Sequence, residues 1–364
     1  MKNNQSSNSS FLLYTLRIVL CLGLIIFIVL GAFFRLPANV YYHVAERYTF
    51  SGGDIDTPIY LGVMIPKSGP YQQVENVQIF WDGVRQEETF DFVDAVKLSG
   101  VKRGDEELVA TIEYDVKLPQ GSISWFAPVE NFQRLPQVGI ESDCECILKK
   151  SANLSDGVST IDAYKIYAFT SDYLTYSQED ADCTSLSAAK ALEIGSCVCA
   201  GYARLMTALC RASGIPSQMI LGLVYPDPMF ISHTTSFPQN PDEAHAWVEF
   251  YSGGSWKMAD PTWGAKRLKL AQFNRNDGRH LVYGELEHVL AVDAELEAWA
   301  LDQAKYILGE THCFRYIAVS GSTQTSFILE VPIQRKWDGR WLNTIIVWGI
   351  MIVLLCRFRG KISA

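Results

Sequence analysis

The sequence predicts an α+β protein in which a core of mixed helices and strands follows a strand-rich region and is flanked by two membrane-spanning helices. Three observations predict this class. Both ends of the chain carry long apolar runs, residues 38–140 show short strand patterns between Gly and Pro turns, and residues 155–335 alternate between helical and strand-like periodicity. The chain has 364 residues, which is enough for two domains between the terminal segments.

The two apolar runs predict transmembrane helices at residues 11–34 and 341–356. Ile18 to Phe34 is uninterrupted, and with the apolar residues before it the segment reaches the roughly 20 residues that cross a bilayer. A cleaved signal peptide is the alternative for this run, but Arg35, Leu36 and Pro37 follow directly and offer no small-residue cleavage site. A buried core helix is the alternative for the second run.

Basic residues next to these runs predict their orientation. The short tails at residues 1–10 and 357–364 are expected to be cytoplasmic because basic residues flank the spans on those sides, namely Lys2, Arg17, Arg357, Arg359 and Lys361. Basic residues on the opposite side weaken the bias, namely Arg35, Arg335, Lys336 and Arg340. We therefore expect a two-pass protein of the cell (inner) membrane, with the region between the spans on the periplasmic or extracellular side.

Charge and cysteine content limit the possible partners. The formal net charge is −9, and no basic stretch is interleaved with aromatic residues, so nucleic acid is not expected as a partner. Two of the nine cysteines, Cys21 and Cys356, lie in the apolar runs, which leaves an odd number elsewhere. An odd number leaves one thiol unpaired even if the others form disulfides, as a nucleophile requires.

The strand-rich region at 38–140 is predicted to form a β-sandwich-like domain. Residues 112–118 alternate between apolar and charged side chains, and 59–65 and 74–81 are further strand candidates separated by a Pro-Lys-Ser-Gly-Pro turn. Residues 119–154, which contain the Asp-Cys-Glu-Cys segment, are expected to form a connection to the next domain.

The region 155–335 is predicted to be the second domain. Helical spacing is present at 161–174, 186–194 and 285–308, and residues 313–319 and 325–331 are expected to form a closing hairpin.

Cys199 lies where the most strongly patterned helix is predicted to begin. Ala200 to Ser213 carries apolar residues at one-face helical spacing, and Gly214 and Pro216 terminate it. A thiol at a helix N-terminus meets unpaired N–H groups and the positive end of the helix dipole, which favours the thiolate. Cys210, on the apolar face, is expected to be a buried core residue.

A predicted hairpin carries His245 near one end and Asp260 near the other. Residues 245–251 alternate as in a strand, a Gly253-Gly254 turn follows, and a second strand runs over 255–259. Residues 219–225 form a further strand candidate. Adjacent antiparallel strands could bring the imidazole and the carboxylate side by side.

Four motifs in this order resemble the transglutaminase-like, papain-related superfamily. They are CAGYA at 199–203, CRASGIPSQMILG at 210–222, HAW at 245–247 and DPTWG at 260–264. The resemblance covers about residues 161–264 and implies a papain-like/transglutaminase-like core, as in bacterial membrane-anchored proteins of this kind. It implies Cys199 as nucleophile, His245 as general base and acid, and Asp260 as the group that orients the imidazole. Where the family often has glycine two residues before the nucleophile, this chain has Cys197.

Several alternatives to this interpretation stay open from the sequence. His233 is a second candidate base, and Tyr173, Tyr176 and Gln178 are candidate side-chain oxyanion donors beside the backbone N–H of Cys199. Cys197, Cys199, His245 and Asp260 could together bind zinc, although a C-x-C pair is not the usual zinc spacing. Cys197 and Cys199 could form a strained disulfide that masks the nucleophile. The chain could also be a membrane-tethered scaffold or binding protein that is catalytically silent.

The function expected from these motifs is a membrane-anchored cysteine acyltransferase or hydrolase. It would act on amide bonds through a thioester acyl-enzyme, with either protease- or amidase-type hydrolysis or protein cross-linking as the outcome. Its expected partners are the lipid bilayer and a protein or peptide substrate of the cell envelope. No cofactor or metal is expected, because no acidic loop has calcium-ligand spacing.

Overall fold

The computed structural model describes most of the chain between the predicted membrane spans. The described residues are 38–52, 56–177, 186–225, 237–238, 244–266, 270, 272–303, 306–307, 314–319, 326–330 and 332–336. The predicted spans at 11–34 and 341–356 lie outside these ranges. Among the helices within the described ranges, none combines the length and the apolar character that a membrane crossing requires.

The N-terminal third consists of six strands, as the alternating patterns predict. They are β1 (Ala38–Ser51), β2 (Thr57–Pro66), β3 (Gln73–Phe80), β4 (Val84–Thr89), β5 (Val93–Lys102) and β6 (Leu108–Ser122). Along β6 buried and half-buried residues alternate, because successive side chains of a strand point to opposite faces. A short 3₁₀ helix at Asn131–Arg134 follows in the predicted connection.

Helices and strands alternate in the second part of the chain. The helices are α1 (Glu145–Leu154), α2 (Ser159–Tyr173), α3 (Ala188–Ile194), α4 (Cys199–Ala212), α5 (Pro261–Lys266) and α6 (Leu286–Gln303). The strands are β7 (Thr175–Tyr176), β8 (Ser196–Cys197), β9 (Ser217–Val224), β10 (Phe237–Pro238), β11 (Ala244–Ser252), β12 (Ser255–Ala259), β13 (Arg275–Asp277), β14 (His280–Glu285), β15 (Tyr306–Ile307), β16 (Arg315–Val319), β17 (Ser326–Glu330) and β18 (Pro332–Lys336). Helix α1 lies within the segment that was expected to be a connection.

The N-terminal strands form two antiparallel sheets together with strands from the C-terminal end. One sheet has the order β10-β18-β1-β6-β13, with β17 also on β1 and β3 also on β6. The other has the order β15-β16-β2-β5-β4. A single hydrophobic cluster contains buried residues of β1 and β6 from the first sheet and of β2 and β5 from the second. The two sheets therefore share one core.

The strands after residue 305 belong to these sheets, although the sequence pattern assigned them to the second domain. The predicted closing hairpin over 313–331 does not form, because β16 pairs with β2 whereas β17 pairs with β1 in the other sheet. Local periodicity identifies such strands but does not carry information on which distant strand each one joins. Strands from both predicted segments, 38–140 and 155–335, therefore pair within these two sheets.

A third, four-stranded sheet with the order β12-β11-β9-β14 carries the residues that the motifs single out. Ala246, Val248 and Phe250 on one of its faces share a hydrophobic cluster with the apolar face of α4. Trp247 on the other face belongs to a smaller cluster with Tyr71. Gly222 on β9 allows this packing, since a Cβ there would lie 2.0 Å from the Leu281 carbonyl oxygen and 2.6 Å from the Trp247 ring.

Candidate active site

Cys199 is the first residue of α4, as the helix pattern predicts. Val198 before it is extended, with φ −87° and ψ −179°, so the helix begins at Cys199. The apolar face of the helix is buried against the four-stranded sheet. Cys199 is half-buried, so its thiol lies at the edge of the core. As the first helical residue, it has a backbone N–H without a partner inside the helix, which leaves this group available as an oxyanion donor.

The β11–β12 hairpin brings His245 and Asp260 together. Val248 pairs with Ala259 across the hairpin, and Asp260 follows directly at the end of β12. His245 Nε2 lies 2.9 Å from Asp260 Oδ2. His245 is 8% exposed and Asp260 is fully buried, so the hydrogen bond between them is shielded from water.

Cys199 lies close enough to His245 and to the backbone N–H of Ala246 for both groups to stabilise its thiolate. Burial by itself would raise the pKa of Cys199, but His245 and the Ala246 N–H outweigh it and lower that pKa from 9.0. Burial likewise opposes the charge of His245, yet Asp260 and Cys199 raise its pKa to about 10. These opposite shifts favour a thiolate–imidazolium pair near neutral pH.

Asp260 is held in place by more than His245. Its Oδ1 accepts hydrogen bonds from the backbone N–H groups of Thr262 at 2.9 Å and Trp263 at 3.1 Å, at the start of α5. Burial would raise the pKa of Asp260, but His245 and His280 together hold it well below its usual range. The carboxylate is therefore charged and fixed in orientation.

The structure adds His280 to this group, which the sequence analysis did not single out. Its Nε2 lies 3.2 Å from Asp260 Oδ2 and its Nδ1 lies 3.1 Å from Asp277 Oδ1. A histidine can donate from both nitrogens only as the imidazolium. Although burial opposes the charge, Asp277 and Asp260 raise the pKa of His280. No local motif marks His280, because its approach to Asp260 depends on the pairing of β14 with β9.

Aromatic rings enclose the imidazole of His245. Its ring centroid lies 5.7 Å from that of Trp263 and 6.2 Å from that of Trp247. The guanidinium carbon of Arg279 lies 4.1 Å from the centre of the Trp263 ring. This enclosure limits the access of water to the histidine and strengthens its interaction with Asp260.

Cys197 lies in a different environment from Cys199. It is fully buried beside Gly201 of α4, where an added Cβ would lie 2.5 Å from the Cys197 sulfur. The two cysteines are not joined by a disulfide. Cys210 is buried in the same hydrophobic cluster, as expected, and burial raises its pKa to about 12.

A metal-binding interpretation would involve different residues from those that the sequence suggested. Among the described residues, the ligand atoms of His245, Asp260 and His280 lie within 4.8 Å of one another, and neither Cys197 nor Cys199 belongs to that group. Asp260 already forms a hydrogen bond with each of the two histidines.

Two of the four other candidate site residues, Tyr173 and Tyr176, lie within the described residues. Tyr173 donates its hydroxyl hydrogen to the Leu192 carbonyl oxygen at 2.5 Å, an interaction within the helical layer. Tyr176 pairs with Cys197 in the short β7–β8 sheet. Gln178 and His233 lie outside the described residues.

Comparison with known proteins identifies the class. Residues 152–261 match the family model of the transglutaminase-like superfamily, so the chain contains a transglutaminase-like domain. No curated protein matches the chain.

The solved structures that resemble the chain include the following three. A protein from Cytophaga hutchinsonii, provisionally assigned as a cysteine protease, is 15% identical with a TM-score of 0.47, and the match covers 83% of this chain and 100% of that one. The periplasmic domain of TgpA from Pseudomonas aeruginosa, bound to ethylmercury, is 15% identical with a TM-score of 0.31, over 67% of this chain and 96% of that one. Red sea bream transglutaminase is 10% identical with a TM-score of 0.25, over 62% of this chain and 48% of that one.

Proposed function

We propose that this protein is a membrane-anchored cysteine enzyme that acts on amide bonds through a Cys199–His245–Asp260 triad. The observation that carries the proposal is the 2.9 Å hydrogen bond between His245 Nε2 and the buried carboxylate of Asp260, together with the mutual effect of His245 and Cys199 on each other's pKa. A nucleophile, a base within hydrogen-bond reach and a group that orients the base are the parts that covalent acyl transfer requires.

In the proposed reaction the thiolate of Cys199 attacks the carbonyl carbon of an amide. The N–H of Cys199 at the helix start faces the developing oxyanion, and the His245 imidazolium gives its proton to the departing amine. The product is a thioester on Cys199. His245, now neutral, accepts a proton from the water or amine that attacks the thioester, so hydrolysis and cross-linking share this intermediate.

The location and substrate class of the enzyme follow from the apolar runs at the two ends of the chain. We propose two membrane spans, at 11–34 and 341–356, with the region between them outside the cytoplasm. Proteins or peptides of the cell envelope are then the substrates within reach.

Incubation of the purified full chain with an envelope protein extract and a fluorescent alkylamine tests the activity. New protein N-termini would report hydrolysis, and the fluorescent amine on glutamine would report transamidation. Cys199→Ala is expected to abolish both, and its melting temperature should stay close to that of the wild type because the residue is half-buried at a helix start. Equal product from the wild type and a folded Cys199→Ala variant would show that the protein acts without this thiol, as a scaffold would.

A further inference from the structure

A cavity lies between the segments at 67–72 and 125–133 and the four-stranded sheet. It is on the face of the sheet that carries Trp247. Its volume is about 520 Å³, in the range of small-molecule sites. Five aromatic side chains contribute to its wall, namely Tyr71, Phe92, Trp125, Phe132 and Trp256. An apolar ligand body would therefore be buried against aromatic rings.

Glu249 supplies a buried carboxylate to this cavity. It is 5% exposed, its Oε1 accepts from the Tyr71 hydroxyl at 2.5 Å, and its Oε2 accepts from Gln218 Nε2 at 2.7 Å. Both donors are neutral, so neither brings an opposite charge to this carboxylate. Burial, with a contribution from the charge of Glu285, raises the pKa of Glu249 to about 7.

Glu285 supplies a second carboxylate, and one of its oxygens has no partner. The residue is 2% exposed and its Oε2 accepts the backbone N–H of Glu287 at 3.0 Å. Its Oε1 is buried without a hydrogen bond from any described residue. A buried acceptor without a donor carries an unrecovered desolvation cost. A donor in the cavity would remove this cost.

Two permanently charged side chains lie near these carboxylates. Lys67 donates to the Phe90 carbonyl oxygen at 2.8 Å and lies 3.6 Å from Asp94. Arg211, whose charge interacts with that of Glu285, is not among the residues that line the cavity. Its Nη1 and Nε donate to the carbonyl oxygens of Leu135 and Ser217, and its Nη2 is buried without a hydrogen bond to any described residue.

His288 also lines the cavity. It is exposed, and its Nδ1 lies 3.8 Å from Glu285 Oε2, beyond hydrogen-bond distance. The ring lies between those of Phe92 and Phe132, with centroids at 6.0 Å and 6.1 Å. It therefore forms part of the aromatic mouth of the cavity and leaves Oε1 of Glu285 without a donor.

We propose that this cavity binds an organic ammonium ion, with the ammonium group between Glu249 and Glu285 and the apolar body against the aromatic wall. The ammonium N–H groups satisfy Oε1 of Glu285, and the charge compensates the two carboxylates. Aromatic faces add cation–π attraction, which a neutral ligand of the same shape does not gain. The ammonium belongs either to a free amine or to a lysine side chain of a peptide.

This site is separate from the candidate active site and does not rest on the proposed function. Trp247 lies between the two, since its indole N–H points to the Tyr71 hydroxyl at 3.4 Å while its ring lies beside His245. His245 and Glu249 are on the same face of β11 but four residues apart, which is about 13 Å along a strand.

The test measures binding of benzylamine to the full chain in detergent by titration calorimetry, with the Cys199→Ala background preventing any turnover. Benzyl alcohol serves as the neutral ligand of matched shape, and Nα-acetyl-lysine methylamide represents a lysine side chain. We expect benzylamine or the lysine derivative to bind at least about tenfold more tightly than benzyl alcohol. The tighter of the two identifies the source of the ammonium. Glu249→Gln and Glu285→Gln should each weaken this binding about tenfold, whereas Glu193→Gln on an exposed part of α3 should leave it unchanged.

Equal affinity for benzylamine, the lysine derivative and benzyl alcohol would overturn the proposal, as would unchanged binding in both glutamine variants. Because a buried substitution can prevent folding, a benzylamine that carries a diazirine provides a second measurement on the Cys199→Ala protein. Its crosslinks should map to 67–72 or 125–133 and be displaced by benzylamine. Crosslinks confined to other segments would also overturn the proposal.

Discussion

At the scale of single residues, the charge of Asp260 favours the imidazolium of His245 and opposes the thiolate of Cys199. Burial lowers the pKa of His245, but Asp260 and Cys199 together more than offset this effect. The pKa rises from 6.5 to about 10. The pKa of Cys199 is lowered from 9.0. The thiolate–imidazolium pair therefore exists above the lowered pKa of Cys199 and is lost when His245 deprotonates.

Asp260→Asn should move the alkaline limb of activity. In the wild type, kcat/KM should fall as pH rises through about 10, where His245 loses its proton. The asparagine variant keeps an oxygen for the N–H groups of Thr262 and Trp263 but removes the charge that raises the pKa of His245. Its alkaline limb should therefore lie at lower pH, with kcat/KM reduced about 100-fold or more. Asp302→Asn, at an exposed position of α6, is the matched control, and an alkaline limb common to all three proteins would contradict this role.

His280 is a positioning residue in this account, because it contacts Asp260 rather than the thiol. His280→Leu should reduce kcat about 10- to 100-fold by removing one fixed contact of the carboxylate. His280→Gln, which keeps an N–H donor, should recover most of the loss. The rate of Cys199 alkylation at neutral pH distinguishes positioning from a purely structural role, since it should fall in the leucine variant and recover in the glutamine variant. Equal alkylation rates in folded wild type and His280→Leu would contradict it.

At the scale of elements, α4 and the short strand β8 pack closely through Gly201 and Cys197. A Cβ on Gly201 would lie 2.6 Å from Cys197 Cβ, a distance that forces the strand or the helix to shift. Gly201→Ala should therefore lower the free energy of unfolding by about 1–3 kcal/mol. Denaturant unfolding provides the measurement.

Cys197→Gly provides the matched test of this contact. In that background, Gly201→Ala should cost less than in the wild type, because the atoms that it would meet are absent. An equal cost in both backgrounds would show that the strain arises elsewhere. Activity should be largely retained in Cys197→Ser, since Cys197 is fully buried and its sulfur packs beside Gly201.

Sequence patterns predict well those helices and strands whose buried faces appear as a regular spacing of apolar residues. Helix α4, strand β9 and the β11–β12 hairpin are confirmed with ends within a few residues of those expected. Helix α1 was missed, since it was assigned to a connecting region. The pairing of β16 with β2 and the approach of His280 to Asp260 were also missed, because each joins residues far apart in the chain.

At the scale of the whole molecule, both ends of the described region meet on one strand. β1 directly follows the first predicted span, and β18, which precedes the second, pairs with it in antiparallel register. Tyr41 lies opposite Lys336 in this pairing. The two predicted spans would therefore emerge close together, as expected for a two-pass protein with one domain on one side of the membrane.

Reporter fusions test this topology. Fusions after Arg35 and after Lys336 should both report the outside of the cell membrane, and a fusion at Ala364 should report the cytoplasm. The physical reason is the cluster of basic residues beyond the second apolar run, namely Arg357, Arg359 and Lys361. A cytoplasmic signal after Lys336 would contradict the proposed location and would leave the triad unaffected.

The central claim is that Cys199 is the nucleophile and is activated by His245. Alkylation of each cysteine with iodoacetamide between pH 5 and 10 tests this claim most directly. Mass spectrometry of each cysteine peptide gives separate rates for Cys199 and Cys197. The account predicts faster labelling of Cys199 at pH 7, with a midpoint below the ordinary thiol value of 9.0, and loss of this advantage in His245→Ala. Faster labelling of Cys197, or a Cys199 midpoint at or above 9.0, would contradict it.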